Sequence, residues 1–592
     1  MSEEREGQAP SGEGTGAARR RGSGVDALVA LGLGAAFVAL LLGTTGDLGY
    51  ARDEGFYFFA ADRYAGWFQL LSSNWRAAIS PKAVDAAWGV NHEHPGLIKS
   101  LFALSSLLDQ KLRIFSMPGT SYRFPAMLLS GVGVGLLYLW GTQARGRVAG
   151  VAAAALFAML PRYFYHAHLA CFDAPIVTMW ALCAYCYWRA MRDGGSLWPV
   201  LCGITFGLAL DTKHNSWFLP IVCGTHAAAV QVRAWVTGER QEQALRRAFA
   251  ALAAMALIGP AVMYALWPWI WRDTLGRLRE YALFHLEHEY YNMEFLGVNY
   301  WTPPMPRAYA FVMTAATVPV VTLVLAGLGL AAAARARLGY PLARLFARVG
   351  VARAWASRVR APAPDPAATE LLWFLGIAAI YAAWLSPKTP IFGGTKHWMT
   401  AYPFVALFAG AAFAAVVRRA RVELRRLGRD RARAWLGRLG LGPLPAAALG
   451  AAVIAAPAAE TLHAHPWALS AYTPLVGGAP GAATLGLNRT FWGYTTGAIV
   501  DYLNLEVPPR GSVYIHDTAW QAWEMLLRDG RLRKDIRGVG SVAGAEFALY
   551  HHEKHMQGQA YQAWVAYGTS RPDHVGGLDG VPVILVYRMP RR

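Results

Sequence analysis

The sequence predicts a mostly α, polytopic helical membrane protein that ends in a small extracytoplasmic α/β domain. Three observations predict it. Of 592 residues, 55% are hydrophobic and only 16% charged, against about 25% charged in an ordinary soluble chain. The apolar residues gather into long runs. The basic residues gather in the short links between those runs. The length is several times that of a typical single domain, and this composition excludes a disordered, collagen-like or nucleic-acid-coating chain.

The formal net charge of +19 suggests a nucleic-acid partner until the charges are placed. Of the 56 basic residues, 48 are Arg and only eight are Lys. With the N-terminus inside, Arg145/Arg147, Arg189/Arg192, Arg233–Arg247, Arg335–Arg360 and Arg418–Arg438 mark every second connection. That is the positive-inside pattern, and it leaves residues 460–592 outside. The partners it implies are membrane lipids, with no nucleic acid. The five cysteines, Cys171, Cys183, Cys186, Cys202 and Cys223, lie in or beside apolar runs, so no disulfide framework or zinc ribbon is predicted.

In chain order, residues 1–24 carry no apolar periodicity and read as a disordered cytoplasmic tail. Arg19, Arg20 and Arg21 then precede the run 26–43, and no A-x-A site follows closely, so this run reads as a retained signal anchor. Further runs lie at 123–142, 147–161, 172–190, 196–211, 215–231, 247–268, 309–333, 368–386, 397–417 and 443–459. The transmembrane domain, 25–459, therefore has eleven candidate spans, in a range of eleven to thirteen. The alternation of charge holds when 95–111 does not cross, so that stretch reads as a re-entrant or interfacial helix.

Three segments outside the spans stand out. The first outer loop, 44–122, carries acids, His and aromatics. The second, 269–308, is dense in aromatics, Glu and His. Trp267, Trp269 and Trp271 before it read as an interfacial aromatic belt. The tail, 460–592, has β-like runs at Ser512–Ile515, Phe547–Tyr550 and Val581–Tyr587 and a helical stretch at Trp520–Leu527, which fits a small α/β domain.

The strongest local motif is Arg52-Asp53-Glu54-Gly55-Phe56-Tyr57-Phe58-Phe59 after the first span. Aromatics that seat in the interface would hold the two acids at headgroup height, where a carboxylate can serve as general base on a hydroxyl. The same residues also fit a solvated turn entering an amphipathic helix. Downstream, Asn91-His92-Glu93-His94-Pro95 precedes Lys99. Two His around a Glu suit a metal or a phosphate, or simply a helix start. Lys213, Lys388 and Lys396 stand at outer span ends against the charge trend, where an anionic partner such as a lipid phosphate, or snorkelling, accounts for them. Arg162, His166 and Asp173 share another outer connection, with Asp173 placed to orient Arg162 or a His. His285, His288 and Glu289 fall within one helical turn, suiting a ligand cluster, a sugar platform or a solvated face.

Other apparent motifs carry less. Gly131, Gly133 and Gly135, like Gly327 and Gly329, lie inside spans and read as close-packing positions. No GxxxxGK[ST] occurs. His551-His552-Glu553-Lys554-His555 resembles a metal cluster but reads as a surface loop after a strand.

The order of these motifs resembles the family-39 type of C-superfamily membrane glycosyltransferases, the protein O-mannosyltransferase and aminoarabinose-transferase-like group. Asp53, Glu54, His94, Pro95, Lys99, Arg123, Asp173 and Lys213 stand at motif positions. The likeness is best over 45–220, looser over 260–460, and absent in the tail. Gly96 replaces the second proline of the usual His-Pro-Pro, which implies a looser loop. The soluble domain of the eukaryotic protein mannosyltransferases is not recognisable, which weakens a protein acceptor.

The resemblance implies an inverting transferase that moves a sugar from a polyprenyl-phosphate donor to a hydroxyl of a lipid, polysaccharide or protein. It gives Asp53 the role of base or acceptor-orienting residue and Glu54 that of the neighbour positioning Asp53 or the acceptor. His94, Lys99, Arg123, Arg162, Asp173, Lys213, Lys388 and Lys396 are candidates for the donor phosphate and substrate. His92, Glu93, His285 and His288 are candidates for the acceptor or a metal. No cofactor is required by this chemistry, and a divalent cation is compatible with it. The expected location is a bacterial inner membrane, N-terminus cytoplasmic and C-terminal domain periplasmic. A secondary transporter or flippase of a lipid or sugar is the alternative, disfavoured because the spans are nearly free of acids.

Overall fold

The computed structural model describes residues 13–238, 242–348, 365–427 and 444–590. Residues 1–12 of the expected polar tail lie outside the described residues, and from Glu13 the backbone is already helical, through Thr44. The arginines at 349–364 and 428–438 also lie outside them.

The chain is mostly helical, as its composition predicts. Every one of the eleven apolar runs forms helix. Among the described residues, six helices are long and apolar enough to cross a membrane, or seven when Arg147–Ala158 and Pro161–His168, bent by 70°, count as one broken span. The other runs differ for local reasons. Leu197–Leu210 and Thr369–Ala382 have only 14 residues each. The run 309–333 is split, because Val318, at ψ 130° before Pro319, leaves the helical region and ends Tyr309–Thr317. Asp173–Asp193 carries acids and arginines at its ends and is buried nearly throughout by other helices. The stretch 95–111 is a 16-residue helix, Leu97–Leu112, outside the set able to cross. It buries Ile98, Phe102 and Ala103 while Leu104, Leu108 and Leu112 stay exposed.

Small residues set the helix spacing. A Cβ on Gly131 would stand 2.5 Å from Val38 Cγ2 and 2.8 Å from the Gly34 carbonyl oxygen, so Glu13–Thr44 and Pro118–Arg145 touch backbone to backbone. Any larger residue there would force them apart. Of the expected aromatic belt Trp271 stays partly exposed, but Trp267 and Trp269 are interior, 0% and 4% exposed, with Trp267 packed edge-on against Tyr281 of the helix Thr274–Leu286. The second outer loop folds back over them and removes them from any lipid face.

The C-terminal region carries a five-stranded sheet. Its strands are β3 (Ser512–Tyr514), β4 (Arg537–Val539), β5 (Phe547–His551), β6 (His574–Leu578) and β7 (Val581–Arg588), after a two-stranded ribbon, β1 (Met293–Phe295) and β2 (Val298–Tyr300), in the second loop. The order is β4-β3-β5-β7-β6, parallel across β4, β3 and β5 and antiparallel across β5, β7 and β6. Three strands and the helix Trp520–Arg528 coincide with the segments expected from the sequence. This region docks on the start of the first loop. Arg531 Nη1 donates to the Leu48 carbonyl at 2.6 Å, and the Asp529 carboxylate accepts from Gly119 N at 2.8 Å and from Tyr50. A Cβ on Gly49 would lie 2.4 Å from the Tyr494 carbonyl oxygen, so the two backbones are in contact.

Candidate active site

The first loop opens with the helix Arg52–Ser73, and its first turn splits two adjacent acids between two jobs. Glu54 faces inward and is fully buried. Its carboxylate accepts from Ala51 N at 2.9 Å, from Arg123 Nε at 2.7 Å and Nη2 at 2.8 Å, and from Ala170 N at 3.0 Å. Ala51 has no side-chain oxygen, so this is half of a capping box. Glu54 and Arg123 thus form a satisfied buried pair that pins the loop to the helix Pro118–Arg145. Neither reaches the cleft, so Arg123 does not stand where a donor phosphate would bind.

Asp53 points the other way, into a cleft of about 500 Å³. Its Oδ2 lies 3.5 Å from Lys396 Nζ, and that ammonium sits 4.0 Å above the Trp492 ring. Deeper in the cleft Asp173 Oδ1 accepts from Lys213 Nζ at 2.6 Å, and Oδ2 lies 3.7 Å from His166 Nδ1. Asp53, Asp173, Lys213 and Lys396 all line this one space. The result is two carboxylate–lysine pairs facing one cavity. Each lysine is held by a carboxylate, and each can exchange that partner for an incoming phosphate.

Histidines and aromatics build the remaining wall. His94 is packed against Tyr57, Phe172 and His285. Burial, with His285 and the cations Lys99, Lys213 and Lys396 around it, holds its imidazole well below the usual range. His285 is lowered to about 4, chiefly by burial, against a hydrogen bond to the Glu93 carbonyl at 3.0 Å that favours the charged form. Both rings are therefore neutral near pH 7. His288 stacks on Phe392 at 4.3 Å. Glu93 and His288 line the cleft, but His92 turns away to Glu280 at 2.8 Å and Trp269. Among the described residues no group of three or more His, Cys, Asp or Glu is placed to hold a metal ion. The cluster proposed from His92, Glu93, His285 and His288 does not converge, because His92 and His285 each face separate partners.

Three further candidates are placed elsewhere. Lys99 is fully buried and donates to the carbonyls of Asn91 and His94, which makes it an anchor under the His94 loop. Arg162 is buried against the Ala471 carbonyl at 3.3 Å and the Tyr472 ring; Asp173 orients toward Lys213 and His166 instead. Lys388 is exposed and outside the cleft, and its carbonyl accepts from Tyr290. Long-range contacts place Arg162 and Lys388, whereas Lys99 is held by carbonyls five and eight residues before it in its own loop. Sequence reasoning also missed His214, His397, Trp492 and Glu553, all in the cleft wall. The first two directly follow Lys213 and Lys396, a doublet that marked them. The last two come from the tail, where Trp492 carried no motif and Glu553 sits in the His551–His555 run that read as a surface loop.

Comparison with known proteins agrees with the motif order. Residues 103–269 match the family described as dolichyl-phosphate-mannose-protein mannosyltransferase. That stretch runs from the interfacial helix through the span before Trp267 and contains Arg123, Arg162, Asp173 and Lys213. This part of the chain is similar to that membrane glycosyltransferase family, in agreement with the resemblance where the two overlap, over 103–220; Asp53, Glu54, His94 and Lys99 lie before the matched stretch. No curated protein matches the sequence. Among solved structures, ArnT from Cupriavidus metallidurans bound to undecaprenyl phosphate aligns at 14% identity and TM-score 0.44, over 94% of this chain and 97% of that one. The archaeal oligosaccharyltransferase AglB from Archaeoglobus fulgidus, in complex with an inhibitory peptide and a dolichol-phosphate, aligns at 12% identity and TM-score 0.47, over 91% and 71%.

Proposed function

We propose that this chain transfers a sugar from a polyprenyl-phosphate donor to a hydroxyl acceptor, with Asp53 as general base. One observation carries the reading: an unshared face of Asp53 and two lysine–carboxylate pairs line one large cleft at the ends of spans. A lipid-linked donor stays anchored among the spans, so its phosphate meets Lys213 and Lys396. The acceptor oxygen attacks the anomeric carbon, and its proton passes to the Asp53 carboxylate. The bond from that carbon to the phosphate oxygen breaks, its electron pair leaves on the lipid phosphate, and the lysines neutralise it. Attack opposite the leaving group inverts the anomeric centre. The family match over 103–269 supports the reaction class.

In this reading the site opens on the periplasmic side of a bacterial inner membrane, and lysine rather than a divalent cation neutralises the phosphate. The test is label leaving a panel of polyprenyl-phosphate sugars, using purified protein in lipid with crude envelope acceptors. Consumption that Asp53→Asn abolishes and that EDTA leaves unchanged is the expected result. Consumption that survives Asp53→Asn in full would refute the assignment of the base.

A further inference from the structure

Gly96, expected to loosen the loop where the family pattern carries a second proline, does the reverse. It is buried at the start of the helix Leu97–Leu112 and has no side chain with which to cap that helix. The cap comes instead from a segment 115 residues away: Gly96 N donates to Asp211 Oδ1 at 3.1 Å. Leu97 N donates to the Asp211 backbone carbonyl at 3.3 Å. The first N–H groups of a helix have no partner within it, and a carboxylate suits them well. One residue of another segment thus takes two adjacent N–H groups.

Proline at 96 could not make this contact. It has no N–H to give, and a Cβ there would stand 2.9 Å from Trp88 Cζ3, 3.1 Å from Trp267 Cδ1 and 3.3 Å from the Leu266 carbonyl oxygen. Trp88 and Trp267 are 1% and 0% exposed, so neither indole has open space to move into. Asp211 is also 0% exposed. It closes the helix Leu197–Leu210, with its own N–H donating to the Gly207 carbonyl at 2.9 Å.

Each end of this latch lies two residues from the cleft wall. Gly96 follows His94 and Asp211 precedes Lys213, and both His94 and Lys213 line the cleft. Lys99, in the first turn of the capped helix, holds the same loop through the Asn91 and His94 carbonyls. Asp211 joins the turn that carries Lys213 to that loop.

We infer that Asp211 is a positioning residue: through Gly96 it sets Lys213 at a fixed place relative to the His94 wall, and so fixes where the donor phosphate is held. This rests on the transferase reading and deepens it for the same cleft. Neither Asp211 nor Gly96 lines the cleft, so the effect passes through Lys213.

The experiment uses the full chain in lipid with labelled polyprenyl-phosphate sugars and measures donor KM and kcat separately. Asp211→Ala is expected to raise donor KM about three- to tenfold while kcat stays within about twofold, because Asp53 stands on another helix. Asp211→Asn keeps an acceptor for Gly96 N and is expected to hold KM within about twofold of wild type. Gly96→Pro, which restores His-Pro-Pro, is expected to raise KM as Asp211→Ala does. A double variant tests the route. In a Lys213→Ala background Asp211→Ala is expected to add less than about twofold, since the lysine it positions is gone. Losses that multiply in the double variant overturn the inference. So does a donor KM unchanged in folded Asp211→Ala, or raised equally in Asp211→Asn. Loss of folding in both Asp211→Ala and Gly96→Pro overturns it as well, since the contact then serves stability alone. Amide hydrogen exchange over residues 94–100 is expected to be slow in the wild type and in Asp211→Asn; fast exchange in the wild type removes the latch. Asp53→Asn separates the two readings. If it consumes donor at the wild-type rate, the assigned base fails while the KM comparison still decides Asp211; a wild type that consumes no donor overturns both.

Discussion

Lys396 Nζ lies 3.5 Å from Asp53 Oδ2 across a sequence separation of 343 residues. Neither residue is held by its own element alone. Asp53 is fixed by the Glu54 clamp beneath its helix turn, and Lys396 by the Trp492 face below its ammonium. The contact therefore reports whether the first loop, the 394–397 turn and the C-terminal domain are assembled together. It also keeps the Asp53 carboxylate oriented toward the cleft before substrate arrives.

Asp53→Asn keeps shape and hydrogen-bonding reach but cannot accept the acceptor proton. Donor turnover is expected to fall about 10²- to 10⁴-fold with unchanged thermal stability. Single-turnover kinetics on labelled donor, beside a melting curve, check both halves of the statement. A matching loss of stability would assign Asp53 a structural role instead.

Glu54→Gln and Arg123→Gln act on folding first. Each leaves the other buried charge uncompensated, which destabilises by about 3–5 kcal/mol. Replacing both together by Leu and Met is expected to recover much of that stability without recovering full activity, because the Asp53 turn loses its anchor. Melting temperatures of the single and double variants in detergent make the comparison. Additive losses would show that the pair is not one unit.

The two lysines separate by kinetics. Lys213→Ala and Lys396→Ala are each expected to raise donor KM about tenfold, the scale of one charge-assisted hydrogen bond to phosphate. Lys396→Ala alone is also expected to lower kcat, since it removes the group that orients Asp53. Lys388→Ala, outside the cleft, is expected to change neither. A donor KM that responds to Lys388 and not to Lys213 would move the phosphate site.

The helices were legible because a span must be apolar over its length, whatever it packs against. The site was legible where chemistry and sidedness coincide in short motifs: Asp53, Asp173, Lys213 and Lys396 all reach the cleft. Arg123 and Lys99 were misassigned for a common reason. A cation beside an apolar stretch looks the same in sequence whether it awaits a phosphate or caps a buried carboxylate or carbonyl; the fold brings Glu54 to Arg123 across 69 residues, and the turn before Leu97 folds the Asn91 carbonyl back onto Lys99. Glu553 was hidden by a composition that fits a solvated loop. Its burial comes from docking between domains, which no local pattern encodes.

The C-terminal domain has a built-in pH window. Burial lowers His516 to about 3, with His551 beside it, and lowers His551 to about 4. In the unfolded chain both titrate near 6.5, so below that pH the unfolded state binds more protons, and stability falls as pH drops from 6.5 toward 4. At 1.36 kcal/mol per unit, the loss is up to about 3 kcal/mol for each ring. Glu553 has the opposite sign: its raised carboxyl favours the folded state at low pH, and that contribution is lost as pH rises above 4.5 toward its folded value. Melting temperature of the full chain is therefore expected to peak between the two limbs. Glu553→Gln flattens the alkaline limb, and His516→Gln, which keeps an acceptor for His551 N, flattens the acid limb. Parallel curves for all three proteins would place the pH response outside this cluster.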